Sequence, residues 1–539
     1  GLPPGPRAAM VALIGVVVAC AIPYAVIAAV GEPYPDDVVM GVVSKMQIWV
    51  PGDDIPFADK FGLEETDENL LAAQALSEAG DGEEPVAVLL KPTPETKPAP
   101  VADTDATTGG TDADVVIRPV GDTRPTATTP PPKPVDPVDQ IRIPATLYAG
   151  AKTDIEDPHG AMAHFYEALA QTTLETPGAI TRVTHWGDSA IAADGMPSMA
   201  RRLLQQQFGD AGHGFSLVAA GNRWYLRKDI EFESRGWKVQ EFIRKDSADG
   251  FYGYGGVAAV GYLGSRASWK TVDDGPVGKA ASRFEVLFRR AKGGGDLEVT
   301  VDGGAETKVF STATDEGDAP QDTSVVVKVS DGPHSFRVKN IGGGMTKLYG
   351  AVIERDIPGV VYDSIGTIGA RAGRQRNIDD DHFIAQLRHR KPDLMVLMYG
   401  GNALKDKTTM AQYAASYSTV VERYRRALPQ ASCLVMSPID HGEYYRRKVR
   451  TVPRQVEIMR VQREVALEQG CAWFSLYDAM GGQGSIGRWF KSSPRLAEAD
   501  LGHPTAKGSI TLGRLFYKSL MKGFAGHLDR RRAAAEATP

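Results

Sequence analysis

The sequence predicts an α/β domain built on a parallel sheet and interrupted by an all-β sandwich. Strand-like and helix-like segments alternate over residues 143–221 and again over 356–525, the pattern of an α/β unit. Residues 222–355 instead show short runs of alternating polarity separated by Gly, Asp and Pro turns, with hardly a helical window. In the second α/β stretch, Leu394–Tyr399, Ser432–Ser437 and Ala472–Leu476 are continuously apolar, as strands covered on both faces are.

Taken in order, residues 8–30 are uncharged, and at ~1.5 Å per residue they would make a helix roughly 34 Å long, enough to cross a bilayer. Arg7 precedes this run and Glu32, Asp36 and Asp37 follow it, so the positive-inside rule puts the remainder outside the cytoplasm. We expect an uncleaved anchor over 1–30. Acylation at Cys20 is the rival reading, opposed by the apolar run that continues past it. Residues 31–142 are acidic, with a possible helix at Glu68–Ala79, then rich in Pro and Thr: 11 prolines fall between Pro92 and Pro137. Such a segment cannot bury enough apolar surface to fold and reads as a disordered tether.

Folded sequence is expected from about Ile143. His159–Gln171 has helical spacing, Ile180–Trp186 reads as a strand, and Pro197–Phe208 as a helix with proline in its first turn. Residues 284–290, 297–303, 324–330 and 334–340 are the clearest strands of the sandwich. Helices are expected at Met410–Ala427 and Pro453–Gln469, and residues 526–539 as a tail. With 61 basic against 67 acidic residues the net charge is −6, which excludes a strongly basic nucleic-acid binder. Cys433 and Cys471 are expected as unpaired thiols on neighbouring buried strands. The basic runs 446–448 and 530–532 read as solvated faces. No nucleotide loop, zinc cluster or calcium loop is present, so neither cofactor nor metal is implied.

Four short sets fall at strand ends, where doubly wound sheets place their sites: Gly187-Asp188-Ser189, Gly366-Thr367-Ile368-Gly369-Ala370, Gly400-Gly401-Asn402, and Asp500-Leu501-Gly502-His503-Pro504. A serine hydroxyl needs a histidine to remove its proton, and that histidine needs a carboxylate to orient it. Asp500 and His503 can supply both to Ser189. The oxyanion of a tetrahedral intermediate needs fixed donors, for which the Ser189 N–H, a glycine N–H of the second set and the Asn402 amide are candidates. Asp440-His441 is an alternative acid/base pair, although a loop histidine beside an aspartate is more often solvated. Asp194 is expected to support the helix that follows it.

Together the four sets resemble the SGNH (GDSL-type) hydrolase superfamily over roughly 155–221 and 356–525. The resemblance implies a three-layer, flavodoxin-like hydrolase domain. It implies Ser189 as nucleophile, Asp500 as orienter, His503 as base, and Ser189, Gly369 and Asn402 as oxyanion donors, with Gly366 open as the alternative glycine. The sandwich at 222–355 narrows the likeness to bacterial esterases that remove O-acetyl groups from peptidoglycan and carry an inserted carbohydrate-binding-like domain. An aromatic-rich stretch runs from Trp186 to Trp269. Within it Trp237, Tyr252, Tyr254 and Trp269 are candidates for stacking on sugar, with two or three of the stretch's eight rings expected at the surface. The expected protein is a membrane-tethered periplasmic esterase with an acetylated polysaccharide or peptidoglycan as partner. An O-acetyltransferase and a non-catalytic glycan-binding wall anchor are the alternatives.

Overall fold

The computed structural model describes residues 136–222 and 224–537. The expected anchor, tether and Glu68–Ala79 helix lie outside the described residues. Among those described, no helix is long and apolar enough to cross a membrane.

Along the chain come helix α1 (Ala163–Thr173), strand β1 (Ile180–Gly187), and helices α2 (Ser189–Ala192) and α3 (Gly195–Phe208). Next are strands β2 (Gly214–Ser216), β3 (Glu231–Arg235), β4 (Lys238–Glu241), β5 (Val257–Gly261), β6 (Arg266–Lys270) and β7 (Ala281–Arg290). They are followed by β8 (Asp296–Val301), β9 (Glu306–Ser311), β10 (Gln321–Gly332), β11 (Ser335–Gly342) and β12 (Thr346–Glu354). The α/β pattern resumes with β13 (Gly359–Gly366), α4 (Asp380–Arg390), β14 (Leu394–Met398), α5 (Met410–Ala427) and β15 (Ser432–Met436). A hairpin, β16 (Gly442–Tyr445) and β17 (Lys448–Thr451), precedes α6 (Pro453–Glu468) and β18 (Ala472–Phe474). The chain closes with α7 (Leu476–Ala479), α8 (Ser485–Lys491) and α9 (Ala506–Glu536).

The parallel sheet runs β13-β1-β14-β15-β18. Counted within the α/β domain this is the order 2-1-3-4-5 of flavodoxin-like sheets, and β1 lies at its switch point. Both faces are covered. Along β14, Leu394, Val396 and Met398 join the core under α1, α3 and α9, while Met395 and Leu397 join the core under α4, α5 and α6. That two-sided burial is why these strands read as unbroken apolar runs.

The inserted strands form two antiparallel sheets, β10-β7-β12-β5-β4 and β3-β6-β11-β8-β9. Phe284, Val286, Phe288, Val299, Phe336 and Val338 fill the space between them. The outer face of the first sheet does not meet solvent: Leu287, Tyr349 and Val352 pack in one core with Trp186, Phe383 and Tyr424 of the α/β domain. β2, which precedes the expected start of the insert at 222, pairs with β12. A buried charge network crosses the same boundary. Arg390 donates to both carboxylate oxygens of Asp363 at 2.7 and 2.8 Å and also reaches Glu354, which Arg182 binds at 2.9 and 3.1 Å. Buried carboxylates are tolerated when paired in this way, and loss of one partner would strand the rest.

Several expectations are corrected. Cys433 and Cys471 form a disulfide: they precede the paired residues Leu434 and Ala472 of β15 and β18, which puts their Cα atoms 4.7 Å apart. Residues 136–142, expected as the end of the tether, are folded, with Val138 and Ile141 buried. Most of the expected tail at 526–539 belongs to α9, which runs to Glu536. Arg531 is not a solvated residue; it pairs with Asp136, Asp139 and Glu167 and so ties α9 to the start of the described chain. Tyr252, Tyr254 and Trp269 are core residues with no face for a sugar, since the sandwich and its junction need large rings to fill them. Trp237 is half-buried, and Trp224 and Tyr262 are exposed.

Candidate active site

β1 ends at Gly187, and Asp188 caps the short α2, its carboxylate accepting the Ala190 N–H at 3.2 Å. This turn presents Ser189 at the carboxyl end of the sheet. The Ser189 N–H, first of the helix, has no acceptor among the described residues. From the far end of the chain, the loop ahead of α9 brings His503 to Ser189 with Oγ···Nε2 at 2.8 Å. His503 Nδ1 lies 2.6 Å from Asp500 Oδ2. The other oxygen, Asp500 Oδ1, accepts the N–H groups of Gly502 at 3.0 Å and His503 at 3.1 Å. Partial burial would raise the Asp500 carboxyl, but these donors and the His503 ring hold it below its usual range. It therefore stays ionised and fixes the tautomer in which Nε2 is free to take the serine proton.

The three residues line a cavity of about 610 Å³, with Asn402, His441, Arg371, Lys405 and Glu443 among its walls. Asn402 Nδ2 donates to Asp188 Oδ2 at 3.2 Å and to the Ala370 carbonyl at 3.1 Å. The two candidate glycines stand outside this lining. Gly366 is required by a close approach, since a Cβ there would lie 2.1 Å from Ala192 N and displace α2. Gly369, at φ +76°, turns the chain between Thr367 and Ala370, whose N–H bonds back to the Thr367 carbonyl at 3.1 Å.

Asp440 and His441 do not form an acid/base pair. Asp440 is fully buried and accepts Thr451 Oγ1 at 2.8 Å and the Ile486 N–H at 3.0 Å, which turns its carboxylate away from the cavity. His441 is not the solvated loop residue expected. Its ring packs against Gly401 and Gly502, and Nδ1 donates to the Ile439 carbonyl at 2.9 Å. Burial lowers its pKa, so the ring is neutral and presents Nε2 as an acceptor. Asp194 supports α3 from its N-cap position, pairing with buried Arg201 at 3.0 Å.

Sequence reasoning gave no role to Asp188, which lies inside the first of the four sets, or to Arg371, which directly follows the second. Burial pushes the Asp188 carboxyl up to about 6, against the opposing pull of the Ala190 N–H, the His503 charge and the Asn402 amide. The folded state therefore binds this proton more tightly than the unfolded chain, whose carboxyl sits near 3.8. The stabilisation is complete below 3.8 and is lost as pH rises through about 6, a difference of about 3 kcal/mol at ~1.4 kcal/mol per pH unit. Asp188→Asn cannot ionise. Its stability relative to the parent should therefore rise by up to about 3 kcal/mol between pH 4 and pH 7.5 in urea unfolding. A constant difference across that range would show that Asp188 does not titrate as described.

The GDSL-like lipase/acylhydrolase family matches residues 337–509. The chain carries a GDSL-like acylhydrolase domain. The matched segment begins within β11 and ends in α9, so it contains Asn402, Asp500 and His503 and leaves Ser189 on the far side of the insert. Folding reunites the parts of this GDSL-like esterase. A solved structure of a peptidoglycan O-acetylesterase is similar at 21% identity over 69% of this chain and 99% of its own, with a TM-score of 0.58, and shows the same fold. A family two carbohydrate esterase from Cellvibrio japonicus matches at 12% identity over 56% of this chain and 98% of its own, with a TM-score of 0.23. The C-terminal CBM6 of LamC from Zobellia galactanivorans matches at 16% identity over 23% of this chain and 99% of its own, with a TM-score of 0.17. No curated protein matches the chain.

Proposed function

We propose that this GDSL-like esterase hydrolyses O-acetyl esters on a cell-envelope glycan, with peptidoglycan the favoured substrate. The observation that carries the reading is the unbroken relay Ser189–His503–Asp500 opening on a cavity large enough for a sugar ring. In this mechanism Ser189 Oγ attacks the acetyl carbon while His503 Nε2 takes its proton. The resulting imidazolium, steadied by Asp500, returns that proton to the departing sugar oxygen. Water then attacks the acetyl-enzyme by the same route and releases acetate.

The Ser189 N–H and Asn402 Nδ2 are the oxyanion donors, the latter exchanging its long bond to Asp188 for the developing charge. Gly369 supplies the third N–H in this reading, supported by the Asn402 bond to the neighbouring Ala370 carbonyl, which ties the two loops together. Asn402→Ala should lower kcat by about 10²–10³ with little change in KM, since the donor acts mainly in the transition state. A raised KM at constant kcat would assign Asn402 to substrate binding instead.

The substrate class is supported by the fold shared with a peptidoglycan O-acetylesterase and by the surface rings Trp224, Trp237 and Tyr262 on the insert. An extracytoplasmic location, tethered to the inner membrane through residues 8–30, is supported by that uncharged run and by the Cys433–Cys471 disulfide, a bond that persists in oxidising compartments. The test is to incubate the purified protein with O-acetylated peptidoglycan and with other acetylated polysaccharides, and to quantify acetate. Release from none of them would overturn the reading.

A further inference from the structure

The loop that follows β14 is a wall with two sides. Gly401, Asn402, Leu404 and Lys405 face the cavity at Ser189, whereas Gly400, Ala403 and Asp406 face a second cavity of about 410 Å³. Arg371 lines both, so the two spaces adjoin at this residue. The second cavity is also lined by Arg374 and Arg376, which sit with Arg371 on the turn that leads from Ala370 towards α4.

The charges in this cavity do not balance. Asp406, its one carboxylate, is taken by Arg371, whose Nε lies 2.9 and 2.8 Å from the two oxygens. Arg376 Nε donates only to the Gly373 carbonyl, at 3.2 Å. The Arg374 backbone N–H donates to the Arg371 carbonyl at 2.9 Å, and its side chain has no hydrogen bond or ion pair among the described residues. Arg374 and Arg376, both exposed, thus line a concave space that adjoins the reaction site, with no carboxylate of that lining left to neutralise them. An isolated surface arginine would mean little. Two unpaired ones in a cavity behind the nucleophile's own wall form a site for an anion, and a guanidinium fork matches the planar geometry of a carboxylate.

We infer that this second cavity is a subsite of the same active site and binds a carboxylate carried by the glycan, next to the sugar that presents its ester at Ser189. The inference rests on the glycan-esterase reading and narrows its substrate to an acidic glycan, which in peptidoglycan means a muramic acid whose lactyl carboxyl carries no peptide. Arg374 and Arg376 bind the carboxylate, and Arg371, already held by Asp406, positions the junction between the two cavities.

The test does not need turnover. The purified protein is titrated calorimetrically with an unesterified disaccharide of N-acetylmuramic acid, once with its lactyl carboxylate free and once as the neutral methyl amide. The free acid should bind about tenfold more tightly, and raising salt from 50 to 500 mM should shrink the advantage. Arg374→Ala/Arg376→Ala should remove the advantage, and Arg374→Lys/Arg376→Lys should retain part of it. A third titration, with a glucuronic acid disaccharide, separates a lactyl from a uronic carboxylate; preference for either acid over the amide supports the subsite. Equal affinity of acid and amide for the parent protein, or an advantage that survives the double alanine variant, would overturn it. Failure of the esterase reading shows separately, as a parent protein that binds the acid but releases no acetate from its O-acetylated form or from p-nitrophenyl acetate.

Discussion

Ser189→Ala is expected to lower kcat on p-nitrophenyl acetate by about 10⁵–10⁶ while KM changes little. The Ser189 hydroxyl is the one hydrogen-bonded to His503 Nε2, at 2.8 Å, so its loss removes the bond-forming atom and leaves the cavity intact. Deleting the nucleophile of a serine hydrolase relay costs that much because the remaining members cannot act without it. Irreversible labelling by a fluorophosphonate should vanish in the same variant. Activity or labelling near the parent level would remove Ser189 from the mechanism.

Asp500→Asn should lower kcat by about 10³–10⁴ without changing the melting temperature. The substitution keeps an oxygen for the N–H groups of Gly502 and His503, so the turn survives. What it changes is the group facing His503 Nδ1. An amide N–H there favours the tautomer with its proton on Nε2, and that ring cannot accept the serine proton. The protease equivalent, where the aspartate is buried, loses about 10⁴. Asp500 is 53% exposed at its side chain, so water can compete for the ring, and the lower part of the range is expected. A loss below tenfold would mean that His503 holds its tautomer by other means.

Much of this site could be read from the chain because each part obeys a local rule. Ser189, Asn402 and the pair Asp500/His503 follow strands or precede a helix, and such ends converge at one edge of a doubly wound sheet. The strands themselves were legible from two-sided burial, and Met410–Ala427 is helical over the residues its spacing indicated. What escaped was set by contacts distant in sequence. His441 looks like an ordinary loop histidine, and only the approach of Gly401 and Gly502 buries its ring. The Cys433–Cys471 bond depends on which residues of β15 and β18 lie opposite, a register that no local pattern specifies. Tyr252, Tyr254 and Trp269 carry the composition of a sugar platform and serve as filling, because aromatic spacing is the same for either use. Arg531 sits in a run of basic residues, and its partners at 136, 139 and 167 lie more than 360 positions away.

The core shared by the insert and the parallel sheet has a thermal consequence. Trp186 and Phe383 on one side pack with Leu287, Tyr349 and Val352 on the other, and Glu354 of the insert is bound by Arg182 and Arg390 of the hydrolase domain. Neither part can melt while the other stays native, because unfolding the insert would uncover the sides of Trp186 and Phe383 that it packs against and would take Glu354 from Arg182 and from buried Arg390, which would keep only Asp363. Heating should therefore give one calorimetric transition over residues 136–537, with a calorimetric enthalpy about equal to the van't Hoff value. Esterase activity should disappear in that same transition. Two resolved peaks would mean that the insert melts as an independent unit.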